Sequence, residues 1–394
     1  MRVTDNMKFN SSITSLFSVQ DQYNALLEKM SSQKRINRPS DDPVGVTRVL
    51  DIRQQQAAIT QYQSSVDQCD SWISASESQL NAANDLITKA RELATSQSSA
   101  TATSSTRTIT AQDVKALFDQ MVSIANSQIG DRYLFAGTAT DEPFSTTKMA
   151  ASVGSAQEAA ANKFTGTVTS GGTYVGDRNK TYVLKVTNGG ALAGAKYQIS
   201  ADGGKTWGAE QTGMAATITL GDGITLDFAG GANTMAENDV FYVKGTTAGY
   251  YKGNGDNLSV TSGRSVTLDY NITGEAAFTD KGMGGADVLQ ILDDLKTAMQ
   301  NNDVAGIQTQ LGNLKTAQSN ILLNTSRCGT ISNRISIAKT NMDELGQRLT
   351  TSLSNTEDAD VSEVATQFAM KEVALKASYA MASKIGQTTI LDFL

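Results

Sequence analysis

The sequence predicts a mainly α fold with a β insertion. An antiparallel bundle of long helices comes from both termini, together with a small β element and an inserted β-rich outer domain. Three observations predict it. The first is a heptad seam in the N-terminal third, running Ile52, Gln55, Ile59, Tyr62, Val66, Cys69, Ile73, Ser76, Leu80, Ala83, Ile87, Ala90 and Ala94. The second is a matching seam in the C-terminal third: Ala317, Ile321, Asn324, Cys328, Ile331, Ile335, Ala338, Met342, Leu345 and Leu349. Steps of three or four residues place one stripe on one helix face, and such a stripe asks for a helical partner. The third is glycine, with 4 in residues 1–163, 24 in 164–285 and 5 in 286–394. Glycine weakens helix interiors and suits turns, so the ends read as helix and the middle as strands.

The first helix carries Phe9, Ile13, Leu16, Tyr23, Leu27 and Met30 on its stripe, with Gln20 filling one position and Phe17 and Leu26 widening it. Arg35 to Pro43 interrupts it. Asp42 before Pro43 is a good N-cap with proline at the first helical position. The second helix then runs from about 44 to 96, roughly 75 Å at 1.5 Å per residue, a length suited to structural work. Val114, Leu117, Met121 and Ile124 mark a third helix that ends near Gly130. In the middle, Ile218 and Leu220 alternate up to Gly221-Asp222-Gly223, and Ile224, Leu226 and Phe228 continue after it, a hairpin signal. Tyr197 and Ile199 before Asp202-Gly203-Gly204, with Trp207 after, predict another. A further β stretch covers Leu258 to Phe278, and helical spacing resumes at Val288. The last helix places Val364, Phe368, Leu375, Ala382 and Ile385 on one stripe. The expected domains are 1–43 with 355–394, 44–163 with 250–354, and the insertion 164–249.

The chain has 394 residues, a net charge of −7, no histidine and two cysteines, Cys69 and Cys328. No basic face offers itself to nucleic acid. Lack of histidine removes Ser-His-Asp and Cys-His catalysis and most imidazole metal sites. Two cysteines cannot build a disulfide framework. Gly221-Asp222-Gly223 and Gly253-Asn254-Gly255-Asp256 lack the spacing of calcium or phosphate loops and read as turns. No catalytic, cofactor or metal constellation is expected. No stretch is long and apolar enough to span a membrane, and the first residues do not resemble a cleaved leader.

Arg35-Ile-Asn-Arg-Pro-Ser-Asp-Asp-Pro-Val-Gly45 resembles the segment after the first helix of flagellin-related proteins, and its proline-bearing form is similar to the hook–filament junction branch of that family. Asp131-Arg-Tyr-Leu-Phe-Ala-Gly-Thr138, Tyr251-Lys-Gly-Asn-Gly-Asp256, Glu357-Asp-Ala-Asp-Val361 and the ending through Leu391-Asp-Phe-Leu394 agree with it. The resemblance covers about the first and last 145 residues. It implies a structural subunit of the bacterial flagellum, exported by the flagellar type III route without signal cleavage and located outside the cell. It implies as partners other copies in a ring, hook-associated protein 1, flagellin, the filament cap protein, and an export chaperone on the C-terminal helix. Ile13, Leu16, Tyr23, Leu27, Phe368, Leu375, Ile385 and Leu391 are the expected inter-subunit packing residues. A filament-forming flagellin is the nearest alternative. An adhesin whose β insertion binds glycans through Tyr197 and Trp207 is the alternative of another class.

The fold-back makes finer expectations. If Val44 lies level with Leu353, Cys69 lies level with Cys328 as neighbouring thiols, able to form a disulfide only outside the reducing cytosol. The same register turns Arg35 and Arg38, with Asp41 and Asp42 close by, toward Glu357, Asp358 and Asp360 as a charged collar between inner and second layers. The terminal helices have little local core, so proteolysis of the monomer is expected to remove about residues 1–40 and 360–394, leaving a folded remainder.

Overall fold

A computed structural model of the chain describes residues 2–230, 234–263, 266–281 and 285–391, without the side chains of 2–6, 8, 9 and 385–391. Seven α-helices occur among the described residues: α1 (Arg2–Ser32), α2 (Pro43–Gln97), α3 (Ser104–Ala125), α4 (Gly274–Phe278), α5 (Val288–Gln300), α6 (Val304–Glu357) and α7 (Val361–Leu391). The described strands all lie between α3 and α4 in sequence. The fold class matches the expectation: helical ends around a β-rich middle. The chain divides into two compact units, one of Met1–Ser64 with Lys339–Leu394, the other of Ser65–Ala338.

In the larger unit the seam closes. Val66, Ile73, Leu80, Ala83, Ile87, Ala90 and Ala94 on α2 are fully buried, as are Ala317, Ile321 and Cys328 on α6. Val114 and Met121 of α3 and Leu289 and Leu295 of α5 complete this core. Each helix starts where its sequence supplies a cap. Thr103 and Thr106 form a reciprocal capping box at α3, and the Asp287 carboxylate accepts from Gln290 N at α5, 2.9 Å. Phe278, at the end of α4, meets Phe135 and Phe144 edge to face, with centroids 5.1 and 5.6 Å away. The seam positions are buried or half-buried except Gln55 and Leu345, which are exposed.

The β-rich module of the same unit has two larger antiparallel sheets on one core, together with a short antiparallel pair of Gly190–Ala191 and Thr234–Met235. One runs Gln211–Thr212, Lys196–Ser200, Lys180–Asn188, Val240–Thr246, with Ser152–Val153 and Gln157–Glu158 on the last. The other runs Thr217–Gly221, Ile224–Ala229, Thr167–Gly172. Alternate residues Ile224, Leu226 and Phe228 point inward, and Phe228 stacks on Phe164 and Phe241. The two strands from 152 to 158 precede the residue-164 boundary that glycine counting sets.

The hairpin around Asp222 is present. Asp222 (φ +47°) and Gly223 (φ +81°) take the left-handed conformations its tight turn needs. The second hairpin differs from the expectation. The strand returning to Tyr197 is Gln211–Thr212, whereas Trp207 lies outside the strands and is 38 % exposed. Asp202 explains this: it accepts from the backbone of Lys205 and Thr206, folding residues 202–206 into a wider loop.

Candidate functional site

The smaller unit brings together the two segments that the sequence singled out. Arg35 N donates to Glu357 O at 2.7 Å, Ala359 N donates to Gln33 O at 3.0 Å, and Lys34 bridges Asp358. The segment after α1 therefore forms a short backbone ladder with the turn between α6 and α7. Local chemistry shapes it. Asp41 accepts from Asn37 N and Arg38 N, and Asp42 accepts from Gly45 N at 2.8 Å, capping α2. These N–H groups hold both carboxyls below their ordinary range. Gly45 is needed: a Cβ there would stand 2.5 Å from the Asp42 carboxylate and 2.6 Å from Ile36 Cδ1. Ile36 is buried over it. Asp360 accepts from Ser362 N and Glu363 N and caps α7.

The charge pairs differ from the expected collar. Glu357 is buried, and its cations are Lys34 (2.5 Å) and Arg53 (2.7 Å). Arg35 instead pairs with Asp42 (3.3 Å) and donates to Thr356 O, and Arg38 pairs with Glu28 (3.0 Å). Arg38 thus faces α1, not Asp358 or Asp360. The cause is the register. Arg53, Gln56 and Gln63 meet Glu357, Thr350 and Asp343 across α2 and α6. In the larger unit, Gln318 bonds Asn84, Thr88 and Arg91.

The same register separates the thiols. With Gln318 level with residues near 88, Cys328 lies level with residues near 78, about nine residues or ~13 Å from Cys69. That exceeds disulfide reach, and both cysteines are free and buried. Glu77, not Cys69, acts on Cys328. Burial pushes the Cys69 thiol up to about 11 and the Cys328 thiol up to about 12, so neither is a ready nucleophile. Apolar spacing marks which face of a helix packs, not how far its partner is slid along it. Apolar spacing therefore leaves the register open, and Lys34, Arg53, Gln56, Gln63 and Gln318 settle it.

The expected packing residues sit on an internal seam. Tyr23 and Phe368 stack at 4.8 Å, and Tyr379 donates to Gln20 at 2.6 Å, so α1 and α7 pack on each other. Ile13, Leu16, Tyr23, Phe368 and Leu375 are half-buried on this seam. Leu27, expected on the stripe, is exposed, and Leu26 is buried in its place. Seven residues do not divide evenly into helical turns, so a widened stripe can turn to either flank. The side chains of Ile385 and Leu391 lie outside the described residues. The opposite faces stay bare: Phe17 on α1 is 61 % exposed, and Met370 and Val373 on α7 are 62 % and 68 % exposed. Among the described residues no group of three or more Cys, Asp or Glu is placed to hold a metal ion. No described helix is long and apolar enough to cross a membrane.

Comparison with known proteins covers these regions. Residues 3–140 match the bacterial flagellin N-terminal helical region, and residues 311–394 match the bacterial flagellin C-terminal helical region. A curated relative, flagellar hook-associated protein 3 of Salmonella typhimurium, is 24 % identical over 142 residues, 36 % of this chain. The match spans 45 % of that relative, just under half its length. Among solved structures, a putative flagellar hook-associated protein of Vibrio parahaemolyticus is 16 % identical with a TM-score of 0.49, over 81 % of this chain and 100 % of that one. FlgL of Xanthomonas campestris is 19 % identical with a TM-score of 0.40, over 77 % and 99 %. The assignment rests on the two helical regions, which together cover more than half of the residues: the chain belongs to the flagellin family.

Proposed function

We propose that this chain is a structural subunit of the bacterial flagellum that joins the hook to the filament. The observation that carries the reading is the pairing of both family-matched ends, α1 with α7 and α2 with α6, in which α1 and α7 keep large apolar side chains exposed on their outer faces. Its chemistry is packing rather than catalysis. Neighbouring copies cover Phe17, Met370 and Val373, and the long helices carry tension between hook and filament. Hook-associated protein 1 lies below and flagellin above. The filament cap protein guides addition, and an export chaperone holds the C-terminal helix before passage through the type III channel to the cell exterior. The likeness to hook-associated protein 3 favours this over a filament-forming flagellin.

Deleting the gene tests the reading. Cells are expected to carry hooks without filaments and to release flagellin into the medium. Normal filaments in the deletion strain contradict it, and long filaments grown from the purified chain alone favour the flagellin alternative.

A further inference from the structure

Two Asn-Gly steps occur in the chain, Asn188-Gly189 and Asn254-Gly255. Glycine after asparagine leaves the next backbone nitrogen unshielded by a Cβ, so at this pair a side-chain amide is most open to attack by the main chain. The fold treats the two steps differently. Asn254 is 7 % exposed. Its Oδ1 accepts from Thr138 N at 2.9 Å, and its Nδ2 donates to Thr138 Oγ1 at 2.8 Å. With both ends of the amide held, its carbon cannot swing toward Gly255 N. Asn188 is exposed at the end of strand Lys180–Asn188, and its side-chain amide makes no hydrogen bond with the described residues. The N–H of Gly189, just outside the strand, makes none with them either. The backbone here is irregular. Pairing with Lys196–Ser200 shifts register between Val186 and Asn188, and Gly190 takes a φ of +145°. Glycine at 189 is itself required, since a Cβ there would stand 2.7 Å from Met235 O. The packing that demands glycine therefore builds the labile step into the end of the strand.

We infer that Asn188 is a site of spontaneous deamidation, whereas Asn254 is protected. The Gly189 nitrogen loses its proton to base and attacks Asn188 Cγ. The new N–Cγ bond forms, the Cγ–Nδ2 bond breaks, and Nδ2 takes up a proton and leaves as ammonia. Water then opens the cyclic imide. Opening at the side-chain carbonyl gives aspartate, and opening at the main-chain carbonyl gives isoaspartate. The step needs water and no oxidant or reductant. The isoaspartyl product carries Cβ in the main chain and lengthens it between two cross-strand pairs, Asn188 with Lys196 and Gly190 with Met235. Pairing register is fixed residue by residue, so the short strand Gly190–Ala191 must then shift on Thr234–Met235. The aspartyl product keeps the backbone and places a carboxylate across the ladder from Lys196, whose ammonium pairs with Glu210 at 3.1 Å. Opposite charges on facing strands attract, so the sheet accommodates this product.

The full chain is incubated in mildly alkaline buffer to test this. It is digested under mildly acidic conditions, where the attacking N–H keeps its proton, and the two Asn-Gly peptides are followed by chromatography and mass spectrometry. In the folded protein Asn188 is expected to convert about tenfold faster than Asn254, because reaction requires the nitrogen and the amide carbon to approach in line. Its products should be a mixture of aspartyl and isoaspartyl forms, the latter labelled by an isoaspartate-specific methyltransferase. In urea the two rates should converge to within about threefold, since only the fold separates them. Equal rates in the folded chain, or a faster Asn254, overturn the inference. A preference that persists undiminished in urea overturns it too, because flanking residues and not the fold would then be its cause. Asn188→Gln should abolish most of the isoaspartate label, and undiminished label in that variant places the site elsewhere.

Discussion

The terminal helix pair and the helical body use the same sequence device to different ends. In the body, four helices surround the seam, and Ile73, Leu80 and Ile87 lose all contact with solvent. In the terminal pair, two helices share one stripe, and the most buried apolar side chains, Leu26 and Val364, keep 9 % of their surface. Their outer faces keep about two thirds of their surface exposed in places, 69 % for Met7 and 66 % for Met381. Two helices bury one face each and cannot close a core, so a stripe alone does not make a stable pair. The body has the means to stand by itself, and the terminal pair needs neighbours.

Core truncation should separate the two most sharply. Leu80→Ala in the body is expected to cost about 3 kcal/mol in urea unfolding, in line with buried leucine truncations. Leu375→Ala on α7 should cost well under half of that, its side chain being half-buried on an open seam. Equal costs would mean the terminal pair is as closed as the body.

Next in size is the junction below the terminal pair. Glu357 is buried, and Lys34 and Arg53 are its two cations. Replacing both by alanine strands a carboxylate, an expected loss of about 2–3 kcal/mol in the ordering of α7. Adding Glu357→Gln should recover most of it, as read by hydrogen exchange along α7. No recovery would mean the cations act through packing and not through Glu357.

Acidity should move the two regions in opposite directions. Burial raises the Asp287 carboxyl to about 6 at the start of α5. A folded value above the unfolded one gives stability that is full below pH ~4 and lost as pH rises through ~6. Asp287→Asn keeps the cap. It should therefore stabilise the body by about 1–2 kcal/mol at pH 7 and change little at pH 3.5, as measured by thermal unfolding at both. Asp41 and Asp42 in the junction are depressed, so their contribution is present above pH ~4 and fades below it.

The smallest effect is expected at Arg38. Exposed and paired with Glu28, it should contribute at most ~1 kcal/mol to ordering of α1. Arg38→Glu should be rescued by Glu28→Arg and not by Asp358→Arg. The reverse would restore the collar that the simple fold-back register implies.

Much of the fold is legible in the sequence because its signals are local. Heptad spacing marks α2 and α6, Asp42-Pro43 marks the start of α2, and glycine density marks the insertion. The register is not legible, because apolar spacing marks a packed face and not the position of the partner along it. Cys69 and Cys328 look paired only under one of several equivalent alignments. The long-range polar groups that choose the alignment, Arg53 with Glu357 and Gln318 with Thr88, carry no periodic signal. Trp207 falls outside the strand that alternation predicts for a related reason: side-chain caps from Asp202, invisible to alternation, widen its loop. Leu26 and Leu27 differ only by which flank of a widened stripe turns inward, and the packed neighbour decides that.

Amide hydrogen exchange on the full-length monomer tests the central contrast most directly. Residues 66–94 and 307–335 should be protected near the global limit, while α1 and α7 exchange orders of magnitude faster and become protected once the chain is assembled. Equal protection of α1, α7 and the body in dilute monomer would contradict the account.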